Sequence, residues 1–194
     1  MNNYITLKYG NTATYFVNGL LIDTDMAGTL PAFRRALKQQ GLALQDIKYL
    51  FATHYHPDHI GLTGELMQMG CKLLLLEHQR ASVHFSDLIY ARQKHSPFVP
   101  IDEEQAILLS AEQSREFLST LGIAGEFVPN ESHSPDGASL VLDDGNAFTG
   151  DLEPLTFLDG YPENSLLAAD WNALLSRGAA FIHPAHTNPW TILK

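Results

Sequence analysis

The segment Thr53-His54-Tyr55-His56-Pro57-Asp58-His59 constrains this chain more than any other. It sets three imidazoles and a carboxylate within the six positions from His54 to His59. Pro57 has no N–H and pushes His56 towards an extended backbone, so a regular helix cannot run through the segment. A tight loop is expected, and a loop lets the side chains converge on one volume. Neutral imidazole is the commonest protein ligand for zinc-like metals, and carboxylate oxygen binds them too. A lone His-x-His reads as a chance surface pair. Four ligand-type residues this dense, directly after the apolar run Tyr49-Leu50-Phe51-Ala52, point instead to a metal site at the end of a buried strand.

The pattern on either side predicts strands and helices in both halves. Tyr4–Tyr9 and Thr12–Val17 alternate as strands, and Asn18-Gly19 signals a hairpin before Leu20-Leu21-Ile22. After a polar loop a helix is expected from Pro31 to Gln40, with Gly41 as its stop. Strands follow at Ile47–Ala52, Lys72–Leu76 and Ile107–Leu109, and helices at Ile60–Met69 and Glu112–Leu121. Glu77–Lys94 has helical character and ends in the breaker-rich Ser96-Pro97-Phe98-Val99-Pro100. Later strands are read at Phe127-Val128, Ser139–Leu142, Ala147–Thr149 and Ala180–Ile182, with a hairpin at Asp143-Asp144-Gly145-Asn146 and an Asn164-capped helix to Arg177. No linker separates the halves, so one layered α/β domain over residues 1–194 is expected.

Composition narrows the function. Cys71 is the only cysteine, which excludes a disulfide framework and a cysteine-based metal cluster. A formal charge of −10 argues against a broad nucleic-acid surface, although two divalent ions would cancel part of it and leave room for a small anionic substrate. Leu73–Leu76 is far too short to span a bilayer, and nothing resembles a signal segment. The expectation is a soluble cytoplasmic protein with a small-molecule substrate and no nucleic-acid or membrane partner.

Three more ligand-type residues, His133, Asp151 and His186, each follow a predicted strand. Together with the dense loop they make the chain resemble the metallo-β-lactamase-fold hydrolase superfamily. The matching pieces are Thr53–His59, Ser132-His133-Ser134, Thr149-Gly150-Asp151 and Pro184-Ala185-His186, with Leu21-Ile22-Asp23-Thr24 as an opening segment. The motif set is similar to that of compact hydroxyacylglutathione hydrolases and lactonases. The resemblance runs from about Tyr4 to His186. It implies a four-layer αββα sandwich with a two-metal site at one edge. By the same resemblance His54, His56 and His133 hold one ion, Asp58, His59 and His186 hold the other, and Asp151 bridges them, with a water or hydroxide between. An all-nitrogen-and-oxygen ligand set suits zinc, the expected metal, and tolerates iron or manganese. Asp58 is also the candidate catalytic acid–base.

Around this set, Asp23 is expected to organise the loop behind the ligands, and His183 is the rival to His186. His78, His84 and His95 read as surface or pocket-wall residues. Arg80–Pro100, with Phe85, Tyr90 and Phe98, is the candidate lid, and Asn188 and Trp190 are candidate rim residues. Asn130-Glu131-Ser132 stands where the family often has Pro-Gly before its third ligand, and Asp25, Ala185 and Thr187 replace glycines. Asp151 disfavours the antibiotic-cleaving branches that place cysteine there. The expected activity is hydrolysis of a lactone, thioester or phosphodiester. Iron-dependent persulfide dioxygenation and a non-catalytic metal sensor are the alternatives.

Overall fold

In chain order the elements are β1 (Tyr4–Leu7), β2 (Thr14–Val17), β3 (Leu20–Ile22), α1 (Leu30–Gln39), β4 (Tyr49–Phe51), α2 (Pro57–Ile60), α3 (Thr63–Gln68), β5 (Lys72–Leu76), α4 (Phe85–Ala91), β6 (Ile107–Leu109), α5 (Ala111–Thr120), β7 (Gly125–Pro129), β8 (Ala138–Leu142), β9 (Asn146–Gly150), α6 (Phe157–Gly160), α7 (Ser165–Ser176), β10 (Phe181–Pro184) and β11 (Trp190–Thr191). They come from a computed structural model that describes residues 4–192. β1 to β6 form one sheet in that order, antiparallel through β3 and parallel from β3 onwards. The second sheet runs β11-β10-β9-β8-β7, with β10 parallel to β9 and the other pairs antiparallel.

Strand periodicity decides which layer each side chain enters. In β5, Leu73 and Leu75 face the outer helices while Leu74 and Leu76 face the other sheet. Both faces of the sheet are covered at its centre, so β3, β4 and β5 read as apolar runs rather than as alternation. The inter-sheet core joins Phe51 of β4 to Phe127 of β7, their rings stacked at 4.0 Å. Phe33 and Leu37 of α1 and Leu66 of α3 close the outside of the first sheet. Leu167, Trp171 and Leu174 of α7 close the outside of the second. Three apolar interlayers between four layers make the αββα sandwich.

Two elements depart from the sequence reading. The helix expected over Ile60–Met69 is two short helices, α2 and α3, separated at Gly61-Leu62. Gly61 presses against the 25–27 loop so closely that a Cβ would lie 2.2 Å from the Ala27 nitrogen. The Leu62 N–H leaves the helical ladder and donates to Thr24 Oγ1 at 3.2 Å. As expected, no helix runs through the 53–59 segment and His56 is extended; a short helix, α2, begins at Pro57 itself, where the missing proline N–H costs nothing. The second departure is Glu77–Lys94, which splits into a 3₁₀ segment, Glu77–Ser82, and α4. Gln79 turns fully inward there and donates to the carbonyls of Ala52 at 3.0 Å and Asp136 at 2.9 Å.

The C-terminal ends of β3, β4, β7, β9 and β10 gather at one edge of the sandwich. Backbone bonds tie the two sheets there, from Ala138 N to Thr53 O at 2.8 Å and from Ala13 N to Ala185 O at 2.7 Å. Gly150 has a φ of 57°, and a Cβ on it would sit 2.3 Å from Thr53 Oγ1. Glycine is required at this approach. Among the described residues no helix is long and apolar enough to cross a membrane.

Candidate metal centre

All seven sequence candidates meet at that edge. The loop after β4 delivers His54 and His56, and the first turn of α2 delivers Asp58 and His59. His133 follows β7, Asp151 follows β9, and His186 follows β10. Three overlapping groups result: His54, His56 and His133; His54, His59 and Asp151; and Asp58, His59 and His186. Within each group one ligand atom per residue lies within 4.8 Å of the others.

The distances show how the groups interlock. His54 Nε2 and His56 Nδ1 face each other at 3.0 Å. Asp151 Oδ2 lies 3.9 Å from His54 Nε2, 3.4 Å from His59 Nε2 and 3.7 Å from His133 Nε2. Its Oδ1 lies 3.3 Å from His186 Nε2, which is itself 3.2 Å from Asp58 Oδ2. Asp151 is therefore shared between the His54 side and the His186 side.

The donor chemistry fits a cation. His59 Nε2, His133 Nε2 and Asp151 Oδ1 are buried and lack a hydrogen-bond partner. Buried polar atoms are normally paired, and a cation held by this group would satisfy these three. Burial, with His59 and His56 next, drives the His54 imidazole far below its usual range towards the neutral form that binds metals. His56 moves the same way, mainly through burial, with His133 adding to the effect. Burial also works against charge on His59, but Asp23 and Asp151 outweigh it and hold its imidazole up to about 10. Burial opposes the Asp151 carboxylate as well, yet His59, His186 and His133 keep it below the usual carboxylate range.

Supporting contacts fix the ring orientations. Asp23 Oδ2 lies 2.9 Å from His59 Nδ1, and its carboxylate also accepts from Thr53 N at 2.7 Å and Thr53 Oγ1 at 2.8 Å. This matches the organising role read from sequence, and it turns His59 Nε2 towards the cluster. His186 Nδ1 lies 3.2 Å from the Asn11 carbonyl. Two anchors escaped the sequence reading. Asp136 accepts from Tyr55 N at 2.7 Å and pins the first loop. Asp170 accepts from Glu131 N at 3.0 Å and Ser132 N at 2.8 Å, and so fixes the turn before His133. Its signal was available: Asp170 falls on the stripe of α7 shared by Leu167, Trp171 and Leu174, a buried acid on an apolar face.

The rival histidines lie elsewhere. His183 is inside β10, its ring stacked on Phe148 at 4.9 Å and its Nε2 2.7 Å from Asn146 Oδ1. His78 Nε2 is 3.1 Å from the Gly137 carbonyl, and His84 pairs with Asp87. Burial pushes His183 down to about 4 from an ordinary 6.5. Between those values the unfolded chain binds a proton that the folded chain refuses, so stability falls as pH drops through the window. Urea unfolding of wild type and His183→Gln should diverge by roughly 2–3 kcal/mol between pH 7 and pH 4.5, the wild type losing more. Parallel losses would mean that His183 takes its proton freely in the fold.

Of the candidate lid, Phe85 reaches the site, its ring 5.4 Å from that of His56. Tyr90 and Phe98 stack on each other at 4.2 Å, and the Tyr90 hydroxyl donates to the Pro57 carbonyl at 2.8 Å. They brace the ligand loop from outside. Tyr55 points into the core and is fully buried. Two clefts flank the cluster. One, of about 420 Å³, is lined by Lys8, Asn11, Thr12, His186 and Asn188. The other, of about 250 Å³, includes His133, Asp151, His186 and Trp190.

Solved structures share this architecture. A metallo-β-lactamase family protein from Thermus thermophilus superposes with a TM-score of 0.73 at 19% identity, covering 97% of this chain and 74% of that one. The metallo-β-lactamase MIM-1 from Novosphingobium pentaromativorans gives 0.63 at 20% identity, covering 93% and 76%. A chemotaxis sensor, ODP, solved as a peroxy diiron species, gives 0.68 at 15% identity, covering 97% and 84%. No curated protein matches. The family model described as the metallo-beta-lactamase superfamily matches residues 8–186, and with the fold and the histidine–aspartate cluster in agreement the chain belongs to that superfamily.

Proposed function

We propose that the chain is a hydrolase of an ester-type bond in a small molecule, working with two divalent ions, most simply zinc. The observation that carries this reading is the interlocking of the ligand groups through Asp151, with three buried ligand atoms left without partners. His54, His56 and His133 would hold one ion, Asp58, His59 and His186 the other, and Asp151 would serve both. Such a pair lowers the pKa of a coordinated water and polarises a carbonyl or phosphoryl oxygen. A purely structural zinc site would need only four closed ligands, so seven converging groups favour catalysis over a metal sensor.

The chain's own residues supply positioning and proton handling. Asp58 sits at the open side, a third exposed, with its carboxylate 3.2 Å from His186 Nε2. From there it would accept a proton from the attacking water and return it to the leaving group. Thr12 Oγ1 donates to the Asp58 carbonyl at 2.7 Å and fixes the turn that presents it. Among the described residues, Lys8 is the only lysine or arginine lining either flanking cleft, which supports a carboxylic ester or thioester over a phosphodiester.

The test is turnover of a lactone, a thioester, a phosphodiester and a β-lactam by zinc- and manganese-loaded protein. Hydrolysis of an acyl substrate is expected. Silence across the panel, with oxygen consumption by the iron form, would replace this reading with iron–oxygen chemistry. The ligand set admits that chemistry, and it is the kind suggested by the diiron sensor among the structural relatives.

A further inference from the structure

The two clefts that meet at the cluster differ in chemistry, and the difference orients a substrate. The larger one is polar: Lys8, Asn11 and Asn188 line it beside His186. The smaller shares His133, Asp151 and His186 with the cluster, but its remaining wall is chiefly Leu152, Pro154, Ile182 and Trp190. That wall is firmly built. Leu152 and Ile182 belong to the apolar layer under α7, and Trp190 packs against Trp171 at 5.6 Å between ring centroids. The Trp171 indole N–H donates to the Glu153 carbonyl at 2.9 Å and holds the 152–154 loop in place.

We propose that the cleft between the 152–154 loop and Trp190 is the acyl pocket, taking a short, neutral hydrocarbon chain whose carbonyl end lies against Asp151 and His186. Its assignment as an acyl site rests on the hydrolase reading; its preference for hydrocarbon does not. About 250 Å³ is below the roughly 300–1,000 Å³ of pockets that enclose drug-sized ligands, so the chain is short. Glu153 is the charged group on the wall besides the cluster residues, and it sets a penalty on an acyl chain ending in a carboxylate. The cleft beside Lys8 and Asn188 is the less apolar of the two and is left to the leaving group.

Straight-chain hydroxamic acids, from acetohydroxamic to decanohydroxamic, test the pocket without turnover, because the hydroxamate head binds metal and the tail reports the neighbouring surface. Titration into metal-loaded full-length protein should show affinity rising about three- to fourfold per methylene and then levelling off as the cleft fills. Replacing the terminal methyl of octanohydroxamic acid by a carboxylate should reverse most of that gain. Leu152→Ala should lower the long-to-short affinity ratio roughly fivefold. A flat series in wild type, or no binding of any member, overturns the pocket whether or not the variant folds. A rising series beside a silent ester panel keeps the hydrocarbon pocket and rejects the hydrolase reading instead.

Discussion

Asp58→Ala is expected to lower turnover at least about a hundredfold while the protein remains folded. Removing a positioned acid–base group typically costs about 10²–10⁴-fold, and Asp58 carries a second burden as a candidate ligand. Its side chain is a third exposed, so truncation opens no core cavity. The hydrogen bond from Thr12 goes to its main-chain carbonyl and survives the change. Metal content separates the two roles. Asp58→Asn keeps an oxygen for coordination but cannot accept a proton at neutral pH. If Asp58→Asn retains both ions and still loses two orders of magnitude, proton transfer is the dominant loss. If activity falls only in step with metal content, Asp58 acts through coordination. Near-normal turnover in a folded, metal-loaded Asp58→Ala protein would remove it from the mechanism altogether.

What could be read from the chain follows from how local each signal is. The first ligand loop was legible because His54, His56, Asp58 and His59 lie within one short segment whose geometry the backbone dictates. His133, Asp151 and His186 were singled out by their shared placement after predicted strands and took on ligand roles only through family resemblance, since a lone residue after a strand carries no distance information. His186 was preferred to His183 because Pro184-Ala185-His186 fits the family's Pro-Gly-His pattern, and the physical reason lies in where β10 ends. The strand runs through Pro184, which buries His183 in the sheet and leaves His186 beyond it. The breaks at Gly61 and Gln79 were not legible, because long-range contacts impose them: the 25–27 loop against Gly61, and the Ala52 and Asp136 carbonyls on Gln79. Periodicity reports a helix's preferred face but not a distant partner that interrupts it.

Asp25 shows how a departure from the family pattern is absorbed. It stands where the family usually has glycine, and its carboxylate accepts from Thr12 N at 3.1 Å and Met26 N at 2.6 Å. The residue facing it is Gly10, where a Cβ would fall 1.9 Å from Asp25 Oδ2, so the close contact needs a glycine there. The Asp25 bond to Thr12 holds the residue that in turn presents Asp58, so Asp25 bears on the geometry of the candidate metal edge.

Stripping the ions with a chelator is expected to lower the melting temperature by about 8–16 °C relative to protein saturated with metal. A ligand that binds only the folded state stabilises it by about 4 kcal/mol at a thousand times its dissociation constant, and each kcal/mol shifts the midpoint of a domain this size by about 2–4 °C. The physical source is visible in the cluster: His54, His59, His133 and His186 crowd around Asp151, His56 joins His54 and His133, and three ligand atoms of this group are buried without partners. A cation satisfies those atoms and lets neighbouring imidazoles stay neutral and close. Asp151→Ala removes the group that faces both sides, so it should cut the metal-induced shift by at least half and leave fewer than two ions bound by elemental analysis. Trimming Glu153, whose Oε1 is 3.7 Å from His133 Nδ1, on the ring edge away from the cluster, should change the shift far less. Equal losses in the two variants would mean that the shift reports general charge rather than coordination. A midpoint that ignores the chelator while calorimetry shows bound zinc leaving would mean that the orphaned atoms are satisfied some other way.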